Sequence, residues 1–110
     1  METACRTAPM DPPLPDDRAQ GIALAFKALS DPNRVKLMHR IASSGEGGVC
    51  VCDLTSPLGI SQPSVSYHLR VLRDAGLVDR RQEGTFAFYS ARAGAVADLS
   101  PLLGAASAVA

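Results

Sequence analysis

No stretch of the 110-residue sequence approaches the roughly 18 consecutive apolar residues that would cross a bilayer, so no membrane-spanning helix is expected. The N-terminal METACRTAPMDPPLPDD lacks the apolar centre of a secretion signal, which points to the cytoplasm. Net charge is also missing: formal charge is zero, and that balance supplies no general attraction to polyanions. Cysteine is scarce, with three residues, and an odd number cannot pair completely within one chain. In a reducing compartment they are expected as thiols. There is no phosphate-cradling glycine loop and no motif pairing a nucleophile with a base, so an enzyme is not expected. No internal repeat is visible.

What is present fits a single small domain. A hydrophobic fraction of 46% with 20% charged residues is ordinary for a globular chain, and 110 residues leave room for a modest core. Residues 1–16 hold four of the eight prolines among small and acidic residues and are expected to form a flexible arm. From Asp17, Ile22, Phe26 and Leu29 recur at the spacing of one helical face. Asp31-Pro32 then opens a second helix, with Asp31 as cap and Pro32 in the first turn. Val35, Met38, Ile41 and Ala42 are expected to face inward there, with Arg34, Lys36 and Arg40 towards water.

After a glycine-rich loop at 45–48, VCVCDLTSPLG reads as a short third helix stopped by Pro57 and Gly59. Ser61 is placed to cap a fourth helix that carries Val65, Leu69 and Leu72 on one side and ends near Gly76. Beyond Gly76 the period shortens to about two in LVDRRQ and TFAFYS, a β-hairpin turning at Glu83-Gly84. Leu99, Leu102 and Leu103 lie in a last Ala-rich segment compatible with helix. The resulting fold class is mainly α with a small β-hairpin, a winged helix-turn-helix spanning 17–103 before a tail at 104–110.

A rotation of 100° per residue puts Pro63, Ser66, Tyr67 and Arg70 opposite the apolar side of the fourth helix, with Gln62 and Arg73 at the margin. A Gln amide reads adenine, Arg reads guanine or phosphate, and the hydroxyls of Ser64 and Ser66 reach either. The competing account is an ordinary solvated helix. His68 lies on the flank, equally suited to packing and to a phosphate. Arg80, Arg81 and Thr85 near the hairpin tip suit an adjacent minor groove or the charged guarding of an edge strand. Local charge agrees with nucleic acid, because residues 61–92 carry five arginines against three acids.

From Ala25 to about Leu103 the chain resembles the ArsR/SmtB metal-sensing repressors. The resemblance rests on FKALSDPNRVKLM, VCVCDL, ISQPSVSYHLRVLRDAGLV and RRQEGTFAFYS. It implies four helices, two strands and a fifth helix, a homodimer joined through the first and last helices, and release from palindromic double-stranded operator DNA when a metal or metalloid binds. A dimer is also expected from the marginal core and the apolar ends, and it would place two recognition helices about 34 Å apart.

Within that family CVCDL resembles the arsenic-responsive motif, which holds As(III) or Sb(III) by sulfur and needs no organic cofactor. Thiolates are soft ligands, and a helix N-terminus at Cys50 and Cys52 would lower their pKa. Residues i and i+2 of a regular helix point about 200° apart, so one ion is shared only if the first turn is distorted or Cys50 lies outside it. Many such members have a third cysteine where this chain has Thr55. Cys5, on the arm, is the remaining sulfur; solvent or another ligand is the alternative. The last segment has no His and a single Asp98, which disfavours a zinc or cadmium site there. Other readings are sensing of Cd, Pb or Ni, a thiol redox switch through Cys5, and a winged-helix interaction module without a sensor.

Overall fold

The computed structural model describes residues 12–95, 99, 100 and 102. The expectations for most of the arm, Cys5, Asp98, Leu103 and the tail at 104–110 therefore lie outside the described residues. Helix α1 spans Asp16–Ala28 and α2 spans Pro32–Ser43. The Asp31 carboxylate caps α2, accepting from the backbone N–H of Asn33 at 2.8 Å and of Arg34 at 3.3 Å. Desolvation pulls this carboxyl upward. The two backbone bonds, the Arg34 charge and, when protonated, His68 outweigh it and leave Asp31 below the ordinary carboxylate range. A depressed carboxyl stabilises the fold above its unfolded pKa and stops doing so as pH falls through its folded one. Asp31→Ala is therefore expected to lower the melting temperature near neutrality, with the deficit shrinking in melts run below the ordinary carboxylate range.

The inward faces of the first two helices differ from expectation. Ala25 and Ala28 are the buried residues of α1, whereas Phe26 is 42% exposed. Small side chains face the core there, which leaves Phe26 exposed and Leu24 half-covered at the edge of a groove it shares with Tyr67 and Val71. In α2 the buried stripe is Leu37 and Ile41; Met38 is half-buried, and Val35 and Ala42 are exposed. Arg34, expected in water, is also half-buried. Its Nε donates to the Ala28 carbonyl at 2.5 Å and its Nη1 to His68 Nδ1 at 3.2 Å.

VCVCDLTSPLG is not one helix. Val49–Cys50 form a strand, β1; Val51–Asp53 make a single 3-10 turn; and α3 spans only Thr55–Leu58, ended by Gly59 at φ 68°. Pro57 sits inside α3, where a first turn tolerates it. Helix α4, Gln62–Asp74, matches its expected limits and capping, with Ser61 Oγ accepting from the Ser64 N–H. Its end is a Schellman arrangement: Gly76 at φ 80° donates to the Arg73 carbonyl and Leu77 to that of Leu72.

Strands β2, Val78–Glu83, and β3, Phe86–Ala91, form the wing. The turn is Gly84-Thr85, one residue later than expected, because Glu83 still pairs with Phe86. Positive φ at Gly84 alone is the pattern of a type II′ hairpin, whose twist suits the strands. The sheet is antiparallel in the order β1-β3-β2, with Val49 opposite Tyr89 and Cys50 opposite Phe88. Of the final segment, residues 93–95, 99, 100 and 102 are helical. Leu37, Ile41, Leu54, Val65, Leu69, Leu72, Leu77 and Val78 are fully buried and weld helices to wing.

Entry into β1 depends on Gly48. Its φ is 80°, and a Cβ there would lie 2.8 Å from the Tyr89 carbonyl oxygen. Gly48→Ala is expected to cost about 1–3 kcal/mol in denaturant unfolding, since β3 backbone blocks the space and the conformation is left-handed.

Candidate nucleic-acid interface and thiol pair

The outer face of α4 exposes Gln62, Pro63, Ser64, Ser66, Tyr67, Arg70 and Arg73 together, as the sequence reading places them. Their support is apolar: Val65, Leu69 and Leu72 are each 0% exposed on the opposite side. His68 is different. An arginine is always a donor, so His68 Nδ1 accepts from Arg34 and the neutral ring carries its proton on Nε2. This half-buried ring joins α4 to α2 and stands beside Tyr67, with ring centroids 5.4 Å apart. The structural role of Arg34 is not visible in the sequence, because its side-chain partners, Ala28 and His68, lie on two other helices.

On the wing, Thr85 is exposed in the turn and Arg80 extends along β2, its Nη2 on Gln82 Oε1 at 2.5 Å. Arg81 is held more firmly. It pairs with Glu83 at 2.9 Å, donates to the Gly47 carbonyl at 3.2 Å and lies 5.2 Å from the centre of the Phe88 ring. Its bond to the Gly47 carbonyl ties the wing to the segment entering β1, while the Phe88 contact lies within the wing.

That segment ends in the thiols. Cys50 is buried at 8% in β1, Cys52 is exposed on the 3-10 turn, and the Cys52 thiol points at Cys50 Sγ across 2.7 Å. Of the two conditions for sharing an ion, the second is met: Cys50 lies outside the helical turn, in a strand. The expected lowering of thiol pKa is not found at Cys52. Its hydrogen bond to Cys50 pushes the thiol up, with desolvation and the neighbouring charges of Cys50 and Asp53 adding to the rise. A three-residue turn supplies too little dipole to offset this. Among the described residues, no group of three or more His, Cys, Asp and Glu side chains is arranged to hold an ion. Thr55, whose hydroxyl donates to the Cys52 carbonyl at 3.4 Å, stands next to the pair.

The thiols and the outer face of α4 share one space. A groove of about 370 Å³ is lined by Cys50, Val51 and Cys52, by Gln62 and Ser66 of α4, and by Arg80, Thr85, Phe86, Ala87 and Tyr89 of the wing. Phe86 is 56% exposed at its mouth. Spacing along the chain carries no trace of this groove, since it exists only once the hairpin has folded over the start of α4.

Residues 31–80 match the family described as bacterial regulatory protein, arsR family. A solved structure described as a possible transcriptional regulator for arsenical resistance superposes with a TM-score of 0.64 at 32% identity, covering 74% of this chain and 81% of that one. The chain belongs to the arsR family. An uncharacterized HTH-type transcriptional regulator of Methanocaldococcus jannaschii is 38% identical over 73 residues, 66% of this chain and 80% of that one. The arsenical resistance operon repressor of Bacillus subtilis is 41% identical over 64 residues, 58% of this chain and 59% of its own length. A cadmium resistance regulatory protein homologue from Staphylococcus aureus is equally similar, 41% over 69 residues, 63% of this chain and 55% of that one. The chain thus spans little more than half the length of these two relatives. A homodimeric winged helix-turn-helix domain from Mycobacterium bovis, a possible ArsR-family regulator, has a TM-score of 0.66 at 26% identity, covering 88% of this chain and 90% of that one. The family and these relatives are transcriptional regulators rather than enzymes, and among the described residues no helix is long and apolar enough to cross a membrane.

Proposed function

We propose that this arsR-family chain is a homodimeric, cytoplasmic repressor that binds double-stranded operator DNA and lets go when As(III) or Sb(III) is captured by Cys50 and Cys52. The observation that carries this reading is the groove in which the thiol pair opens directly between the start of α4 and the wing. Gln62, Pro63, Ser64, Ser66, Tyr67, Arg70 and Arg73 form the face offered to the major groove, and Arg80 and Thr85 the part offered beside it. Arg81 and His68 serve chiefly to hold the wing and α4 in place, with any phosphate contact secondary. Cys5 supplies a third sulfur for the inorganic ion.

The donors fit a soft ion. A trivalent metalloid holds its sulfurs as a pyramid, and Cys50 and Cys52, adjacent in space on two different elements, can both reach one such ion. Cys50 is fixed by β1–β3 pairing and Cys52 by the 3-10 turn that leads into α3. An ion held by both sulfurs therefore couples the wing strand on one side to the helix-turn-helix on the other. These two elements must be in register for DNA, and release follows from losing that register.

The test titrates the reduced protein with arsenite, antimonite and Cd(II) while following sulfur-to-metal absorbance and operator release together. The reading requires both signals to saturate at the same arsenite or antimonite concentration, and a response confined to Cd(II) contradicts it. A second reading, a thiol redox switch in which Cys5 pairs with one of the two, is favoured by the exposure of the Cys52 thiol. It requires release by a mild hydroperoxide and none by arsenite with reductant present.

A further inference from the structure

We propose that the groove between α1 and α4 binds aromatic carboxylates, as a ligand site separate from the thiols. One end of this groove is cationic. Arg34 is half-buried and spends Nε on the Ala28 carbonyl and Nη1 on His68 Nδ1, both neutral acceptors. Asp31 acts on it through space, but that carboxylate is engaged by the N–H groups that open α2. Among the described residues no carboxylate forms an ion pair with Arg34, and its Nη2 has no partner. The end of the guanidinium is therefore free to donate, and two carboxylate oxygens match that fork. Lys27 directly precedes Ala28 and lines the same groove, which puts a second cation at this end. Asp74 also lines it, but about 9 Å of helix beyond the His68 on which Arg34 is anchored.

Away from the cations the walls are apolar. Leu24 of α1 and Tyr67 and Val71 of α4 line them, and folding leaves Leu24 50% and Tyr67 55% exposed. A cavity of about 150 Å³ is enough to hold benzene, and this groove measures about 330 Å³, room for one or two rings and a carboxylate. The last segment does not fill this space. It packs on the other flank of α1, where Ala95 and Leu99 line a separate cavity with Gly21 and Ile22. The ligand that fits is thus an anion at one end and apolar along its body. Tyr67 belongs to the face offered to DNA, so a ring lodged against it takes surface from the operator. That consequence rests on the reading of α4 as the DNA-facing helix, whereas the binding itself does not.

The test titrates the full-length reduced protein with 2-naphthoate, following the fluorescence of the naphthalene ring, and repeats the titration with the neutral 2-naphthamide. One naphthoate per chain is expected, with naphthamide at least about ten-fold weaker. Leu24→Glu sets a like charge on a half-exposed part of the wall and is expected to weaken naphthoate about ten-fold or more. Lys27→Ala removes the exposed cation and is expected to weaken it about three-fold, both variants melting like the parent. Cys52→Ser is expected to bind naphthoate in full, which keeps this site independent of the thiol reading. Naphthoate is also expected to release a fluorescent operator duplex over the concentration range in which it binds. The proposal is overturned if naphthamide binds as well as naphthoate, if Leu24→Glu and Lys27→Ala both bind like the parent, or if Cys52→Ser abolishes binding. It is overturned equally if the protein takes up no naphthoate, whether because a partner subunit covers the groove or because an operator phosphate is its occupant. In the latter case Lys27→Ala would show a shallower salt dependence of DNA affinity. Failure of the DNA-facing reading looks different: naphthoate would bind in preference to naphthamide and leave operator affinity untouched, which upholds the site alone.

Discussion

Cys50→Ser and Cys52→Ser are each expected to bind operator DNA as the parent does and to lose release by arsenite altogether. Serine keeps the shape but offers a hard oxygen that stays protonated, so it does not replace a soft thiolate. On the proposal that the two adjacent sulfurs act as one chelate, removing either should cost as much as removing both, and the double variant should be no worse than the singles. Cys52 is exposed and its replacement leaves the fold alone. Cys50 is buried in β1, so its replacement should be paired with Cys50→Ala, which separates lost packing from lost ligation. Fluorescence anisotropy with an arsenite titration checks the set. A single variant still released at the parental arsenite concentration would remove the thiol pair from the mechanism.

The parts of this architecture that could be read from the chain are those whose causes are local. Helix α4 is the clearest case: Ser61 caps it, Gly76 ends it, and Val65, Leu69 and Leu72 occupy the buried side while Gln62, Ser66 and Arg70 occupy the other. The CxC motif is equally local. The faces of α1 and α2 were misjudged because periodicity weighs Phe26 and Val35 by hydrophobicity, whereas close packing of α1 on α4 selects Ala25 and Ala28, and α2 turns Leu37 inward. Strand β1 is two residues long, and its existence depends on Tyr89 and Phe88 lying opposite, far along the chain. The same holds for Arg34, which gathers the end of α1, the start of α2 and His68. The groove joining thiols to α4 is the most distant consequence of all. It requires the hairpin, β1 and α4 to be in place before any two of its walls face each other.

Two neighbours on α4 should fail in opposite ways. Leu69 is fully buried, and Leu69→Ala is expected to cost about 2–5 kcal/mol by chemical denaturation, since the helix packed by its neighbours collapses only partly onto the space left. That is a large share of the 5–15 kcal/mol typical of a small domain, so the variant should melt well below the parent and lose DNA and thiol coupling together. Arg70 is exposed, and among the described residues it is on the face opposite the core. Arg70→Ala should leave the melting temperature unchanged and weaken operator binding by roughly 1–3 kcal/mol if it reads a base; Gln62→Ala should do the same. A phosphate contact is distinguished by a uniform loss across sequences and a shallower salt dependence. Unchanged affinity in both surface variants would mean that α4 does not enter the major groove by this face. The contrast matters because loss of binding alone does not separate a damaged scaffold from a missing contact, whereas melting temperature and affinity measured on the same pair do.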